Sequence, residues 1–202
     1  APAGLVVMCF FPIGGKLVDN FAASYVTIFG LVVFAFGAAL LSGTDVNTAF
    51  WILAFFVVIG RLGQSIMLPA INVSALKALP PEQLNNGSGS INFVRLMGGA
   101  FGVNTLVVFM EQRTEFHAIS LTATQTAGNA SSRELLDMVS SLLHGGGVPD
   151  AVLQPGALHY LGRVVEAQAQ TMGFQDSFMV IAVVFILALI PAMMLGRGKG
   201  RR

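Results

Sequence analysis

An all-α bundle embedded in a lipid bilayer is the fold this sequence predicts, and three observations predict it. Charged residues make up only 10% of the 202-residue chain and hydrophobic ones 54%, whereas a soluble domain carries roughly 25% charge. The mean hydropathy of +0.75 leaves too little charge to cover a water-facing surface. The apolar residues also gather into runs of about the 20 residues that a membrane-crossing helix needs. Eleven bases and ten acids nearly cancel, so no general basic character draws nucleic acid. The single cysteine, Cys9, excludes an internal disulfide framework and a thiolate metal cluster.

Taken in order, Pro2–Gly15 is apolar but too short to cross comfortably. It lacks the charged start and cleavage site of a signal peptide and reads as the inner end of a truncated span. Ser24–Leu41 follows without a charge, then Phe50–Leu76, apolar apart from Arg61 and a few amides and hydroxyls. Ser90–Met110 contains Arg95, and Phe178–Leu195 precedes a basic tail. Five membrane helices are therefore expected. The chain divides into residues 1–112 (four spans), 113–175 (an extracytoplasmic loop with short helices) and 176–202 (the final span and a cytoplasmic tail).

Charge sets the expected orientation. Lys16 and Asp19 lie in the first connection, Gly43–Ala49 has no base, and Lys77 lies in the third. Bases near span ends stay cytoplasmic, while long translocated loops are exempt. Arg197, Lys199, Arg201 and Arg202 of the tail then share the cytoplasmic side with Lys16 and Lys77. The Glu111–Gln175 segment lies outside, its acids outnumbering Arg113, Arg133 and Arg163. Five crossings ending inside place residue 1 outside, and with Ala1 in place of an initiator Met the expectation is a C-terminal fragment. In the outer segment Ser131-x-x-Glu134 reads as a capping box before Leu135, Leu136, Val139, Leu142 and Leu143. Gly145-Gly146-Gly147 stops that helix, and Ala157–Gln170 forms a second amphipathic stretch. These helices either cap the bundle or dock a partner.

An ionisable residue inside a span points to function, because a charge at the bilayer centre costs at least ~2.5–3.5 kcal/mol. At about 100° per residue, Arg61, Gln64, Ser65, Leu68 and Asn72 share one arc, which should line a cavity. Pro69 removes a backbone hydrogen bond beside it and favours a kink. Arg61 either acts in mechanism or ties helices together through carbonyl oxygens. Asn92, Arg95, Gly99 and Gly102 share another face, and Gly98-x-x-x-Gly102 offers close helix approach; Arg95 can also snorkel to the headgroups. No acid lies inside a span. His117, His144 and His159 lack metal-ligand spacing, and no nucleophile elbow or acid pair suggests hydrolysis. No cofactor or metal is expected.

Several segments together resemble the C-terminal half of a major facilitator superfamily transporter, specifically the fourteen-span drug:proton antiporters of the EmrB/QacA type. Gly14-Gly15-Lys16-Leu17-Val18-Asp19 resembles the second copy of the G-x-L-x-D-R loop motif, with Asn20 where a base usually stands. Gly60-Arg61-Leu62-Gly63-Gln64 through Leu68-Pro69 resembles R-G-x-G-Q-G-x-x-x-P, with Leu62 and Ser65 replacing two glycines. Leu79-Pro80-Pro81-Glu82-Gln83, Gly87, Asn92-Phe93-Val94-Arg95 and Gly98-Gly99-Ala100-Phe101-Gly102 resemble the L-P-P-E…G…N-x-x-R-x-x-G-G-x-x-G run.

The resemblance covers 1–112 and 176–202. It implies the last five of fourteen spans and proton-driven export of amphipathic, often cationic compounds across the cytoplasmic membrane of a bacterium by rocking two helical halves. Protons, small amphipathic substrates and the bilayer are then the partners, with a periplasmic adaptor and outer-membrane channel if the organism is Gram-negative. Arg61, Gln64, Ser65, Asn72 and Asn92 become candidates for the translocation cavity. Pro69, Arg95, Gly98, Gly99 and Gly102 become candidates for packing and gating, and Gly15, Lys16 and Asp19 for the loop motif. The proton-binding carboxylates of such antiporters usually belong to the N-terminal half. Alternatives are a superfamily transporter for a defined metabolite or lipid, and a scaffold acting through the outer loop.

Overall fold

The computed structural model describes residues 2–77, 79–126 and 128–197. Lys199, Arg201 and Arg202 of the tail lie outside the described residues, as do Ala1 and the side chains of Cys9 and Arg197. Among the described residues seven α-helices follow in order: α1 (Pro2–Asn20), α2 (Ala23–Ser42), α3 (Phe50–Lys77), α4 (Leu84–Thr124), α5 (Ala130–Gly145), α6 (Asp150–Leu187) and α7 (Leu189–Arg197). A 3-10 turn at Pro81–Gln83 precedes α4, and the described residues contain no strand. Among the described residues four helical stretches are long and apolar enough to cross a membrane: Ala23–Ser42, Phe50–Lys77, Pro81–Thr124 and Asp150–Met194. The chain is an all-α, multi-pass membrane protein.

Helix boundaries depart from the apolar boundaries. Lys16 and Asp19 belong to the last turns of α1, so only Phe21 and Ala22 separate α1 from α2. At about 1.5 Å per residue the 19 residues of α1 extend roughly 28 Å. Helix α4 continues past Met110 to Thr124, and 157–170 joins most of the final apolar run in α6. Hydropathy marks where the surrounding medium changes, whereas a helix ends only where its backbone hydrogen bonds end. Such an end occurs late in the last apolar run: Pro191 has no N–H for the Leu187 carbonyl, and the helix breaks at Ala188 before α7.

The chain divides into two compact units, Ala1–Val107 with Gln175–Arg202, and Val108–Phe174. In the first, α2 and α3 pack backbone against backbone. A Cβ on Gly63 would lie 2.5 Å from the Phe34 nitrogen and 2.8 Å from the Gly30 carbonyl oxygen. One on Gly37 would lie 2.7 Å from the Gly60 nitrogen, and one on Gly30 2.8 Å from Met67 Cβ. Only glycine permits this approach, which supplies the dispersion contacts that hold helices together in lipid. Helix α1 meets α3 in the same way at Gly14, whose Cβ would lie 2.6 Å from the Ser65 carbonyl oxygen. That oxygen lacks its usual helical donor because residue 69 is proline.

Two small cores fill the remaining space. Val18, Ala23, Val26 and Ala70 pack with Leu17, Ile66 and Val73. Leu31, Met67 and Ala192 pack with Ile28, Phe185, Ala188 and Leu189, which seats α7 and the end of α6 beside α2. The rings of Phe34 and Phe185 stand 4.2 Å apart. Gln175 Nε2 donates to the Thr44 carbonyl at 2.6 Å, joining residues 131 positions apart. Helix α4, in contrast, has no buried residue among those described.

In the second unit, α5 begins on Asn129, whose Oδ1 accepts from the backbone N–H groups of Ser131 (3.0 Å) and Ser132 (3.3 Å). The expected cap at Ser131 is therefore corrected to Asn129. Ser131 lies inside the helix, and its N–H is already satisfied from two residues upstream. The glycine run ends α5 as expected, with Gly147 alone at positive φ (+80°). Across that turn His144 Nε2 stands 3.7 Å from Asp150 Oδ1, and Leu143 meets Gly156.

Candidate functional site

Polar side chains that hydropathy places within α3 share one arc but differ in burial along the helix. Ser65 is fully buried on the face that meets α1, and its hydroxyl donates to the Leu62 carbonyl at 2.8 Å. Arg61, near the middle of α3 and one turn before Ser65 on the same arc, is exposed. Its Nη1 donates to Gln64 Oε1 at 2.7 Å, one helical turn on. A charge-assisted bond of this kind offsets part of the cost of holding a guanidinium at that depth. Pro69 is buried with Ser65, so burial sets in along α3 within one turn after the exposed arginine.

Asn72, lower on α3, faces α4 across an open cleft of about 440 Å³, and the two helices do not pack against each other. The cleft is lined by Asn72 and Leu76 from α3 and by Ser88, Gly89, Ile91, Asn92 and Arg95 from α4. Arg95 Nη2 donates to Asn92 Oδ1 at 2.7 Å. Asn72, Asn92 and Arg95 are thus brought together, while Arg61, Gln64 and Ser65 do not line this cleft. Ser88 and Gly89 were not singled out from the sequence. The signal for Ser88 was the spacing Ser88, Asn92, Arg95, which repeats at helical intervals of four and three; Gly89 carried none.

The remaining candidates stand apart. Gly98, Gly99 and Gly102 are exposed, and a Cβ on any of them would meet nothing within 4 Å. Gly15 is likewise open, and Lys16 and Asp19 are exposed on the last turns of α1. Of the histidines, His117 lies 3.5 Å from Arg113 Nη2, and His144 faces Asp150. Among the described residues no group of three His, Cys, Asp or Glu side chains is placed to hold a metal.

Comparison with known proteins assigns the chain a family. The family model described as Major Facilitator Superfamily matches residues 1–103. The colistin resistance protein EmrB of Acinetobacter baumannii is 24% identical over 196 residues, covering 97% of this chain and 38% of its own. The multidrug transporter protein MdtP of Bacillus subtilis is 30% identical over 102 residues, covering 50% of this chain and 19% of its own. An uncharacterized MFS-type transporter of Bacillus subtilis, YcnB, is 28% identical over 112 residues, covering 54% and 24%. No solved structure matches. The chain spans less than two-fifths of the length of each of these relatives. A family match over more than half of an all-α, multi-pass chain, with the polar cleft inside the matched stretch, identifies it as a member of the major facilitator superfamily.

Proposed function

We propose that this chain is the C-terminal part of a proton-driven multidrug efflux transporter that exports amphipathic compounds by alternating access. The observation that carries the reading is the similarity of 97% of the chain to a protein named for colistin resistance. A second relative named as a multidrug transporter supports it. In this reading the protein is a secondary transporter of a bacterial cytoplasmic membrane. Lys16, Lys77 and the tail face the cytoplasm, and the 113–175 segment lies outside, where a periplasmic adaptor leading to an outer-membrane channel can reach it.

Arg61 is exposed and bonded to the half-buried Gln64, which leaves its guanidinium open to the rest of the transporter in this reading. Among the described residues Arg61 has no carboxylate at ion-pair distance, so its acidic partner would come from the N-terminal half. A guanidinium beside a carboxyl group raises its acidity, which ties proton release to the approach of the two halves. Asn72 and Asn92 extend the polar path toward Arg95. The glycines Gly98, Gly99 and Gly102 offer a close-approach surface on α4, and Gly15, Lys16 and Asp19 set the charge of the α1–α2 corner.

The test is export of a fluorescent cationic amphiphile by the full-length transporter in everted vesicles, with and without a protonophore. Export should need the proton gradient. Arg61→Ala should abolish it, and Arg61→Lys, which keeps the charge but loses the planar fork of donors, should retain at most a fraction, with both proteins inserted. Export by the wild type that survives collapse of the gradient would refute the proton-driven reading. Normal export by Arg61→Ala would remove the mechanistic role of that residue.

A further inference from the structure

Cleft chemistry between α3 and α4 carries an inference beyond transport. Donors face it and no carboxylate lines it. Arg95 uses one guanidinium N–H on Asn92, leaving the rest of its five donors for a ligand. By accepting that bond through Oδ1, Asn92 turns its amide nitrogen, a double donor, away from Arg95. Asn72 and the Ser88 hydroxyl add further polar groups, while Leu76 and Ile91 give an apolar wall. Among the described residues no carboxylate stands at ion-pair distance from Arg95. A cationic, donor-rich cleft with an apolar side, open because α3 and α4 do not pack together, matches an anionic head on an apolar tail.

We propose that this cleft binds the phosphate-type headgroup of an anionic amphiphile, with Arg95 and Asn92 on the phosphate oxygens and the tail along Leu76 and Ile91. Arginine suits this role because its planar donors meet two oxygens of a phosphate at once. The position agrees with an amphiphile that enters from the bilayer. Asn72 lies about one and a half helical turns from the Lys77 end of α3, and Arg95 about three turns from the start of α4. Two sources present this chemistry: a phospholipid of the surrounding leaflet, and a single-chain amphiphile taken up as cargo. Occupancy does not depend on proton coupling, so the site and the transport reading can fail separately.

The experiment uses the full-length protein purified in a neutral maltoside detergent. Retained phosphatidylglycerol is counted by native mass spectrometry against phosphatidylcholine, and the affinity for dodecyl phosphate is titrated against dodecyltrimethylammonium. Wild-type protein should retain the anionic lipid or bind dodecyl phosphate selectively. Arg95→Gln should weaken that binding at least tenfold, and Ile91→Trp, which fills the cleft while keeping the charge, should block it. Loss confined to phosphatidylglycerol identifies the lipid as the source, and loss confined to dodecyl phosphate identifies cargo. Loss of both supports a site shared by the two. If Arg95→Gln does not fold, Ile91→Trp decides alone. Unchanged binding of both anions in the folded variants, or no preference for anions in the wild type, overturns the proposal.

Discussion

Replacing Gly63 by alanine adds one methyl group at the tightest point of the α2–α3 crossing. The new Cβ would lie 2.5 Å from the Phe34 nitrogen, 2.8 Å from the Gly30 carbonyl oxygen and 2.9 Å from the Phe34 Cα. All three are backbone atoms, so no side-chain rotation relieves the clash. Ordinary contact begins near 3.4 Å, which requires the helices to separate locally by about 1 Å and loosens their other contacts. Overpacking of this kind costs about 1–3 kcal/mol, and with only backbone to displace the upper half of that range is expected. At roughly 2–4 °C per kcal/mol for a domain of this size, Gly63→Ala should lower the melting temperature of the detergent-solubilised protein by about 4–12 °C. Gly99→Ala, with nothing within 4 Å, is the control and should leave it within about 2 °C. Gly37→Ala should behave like Gly63→Ala. The double variant should cost less than the sum, because helices already spread by one methyl group accommodate the second. Wild-type melting of Gly63→Ala, or strict additivity with Gly37→Ala, would refute a backbone-contact crossing.

Four further outcomes are expected. Gln175→Leu leaves the buried Thr44 carbonyl without the donor it has at 2.6 Å and should destabilise the protein by about 1–3 kcal/mol, read as a lower denaturation midpoint; no change would mean that water replaces the bond. Asn129→Ala should speed amide hydrogen exchange across the first turn of α5, by an equivalent of about 0.5–2 kcal/mol, whereas Ser131→Ala should leave it unchanged. In a background with Cys9 replaced, cysteines introduced at Ser42 and Gly146 should react with an impermeant reagent from outside and one at Pro81 only from inside; labelling of positions 146 and 81 from the same side would contradict the proposed topology. Trp51, the only tryptophan of this chain and 79% exposed at the start of α3, should be quenched more by lipids brominated near the headgroup than by those brominated at the chain end, measured in a variant with any upstream tryptophan replaced.

The all-α bundle was legible because the medium writes itself into composition: Ala23–Ser42 carries no charge, and its apolar run and helix nearly coincide. The end of α4 and the start of α6 were not legible, since Glu111–Thr124 stays helical after the sequence turns polar and Asp150–Gln175 is helical before it turns apolar. Packing was harder still. Gly98-x-x-x-Gly102 shows a familiar small-residue spacing, yet these glycines meet nothing here. The glycines that do pack, Gly30 and Gly37 against Gly60 and Gly63, are seven and three residues apart and become a surface only once α2 and α3 are paired. At the candidate site, the arc containing Arg61 and Ser65 was drawn from helical period alone. That period is indifferent to which neighbour arrives, and α1 covers Ser65 but leaves Arg61 exposed.

Arg61 and Arg95 each sit within a membrane-length helix and each bond an amide one turn away, and neither helix has an acid between Phe50 and Lys77 or between Leu84 and Met110. A guanidinium stays charged throughout the physiological pH range, so these helices carry fixed positive charge inside the electric field of the bilayer. One elementary charge moved through a full 100 mV is worth about 2.3 kcal/mol. A rocking motion that carries α3 and α4 through a tenth of that field therefore changes their energy by roughly 0.5 kcal/mol for two charges. In the proposed alternating-access cycle the resting potential, negative inside, would favour the conformation that holds both arginines nearer the cytoplasm, and its collapse would shift the balance between inward- and outward-open states even at constant pH.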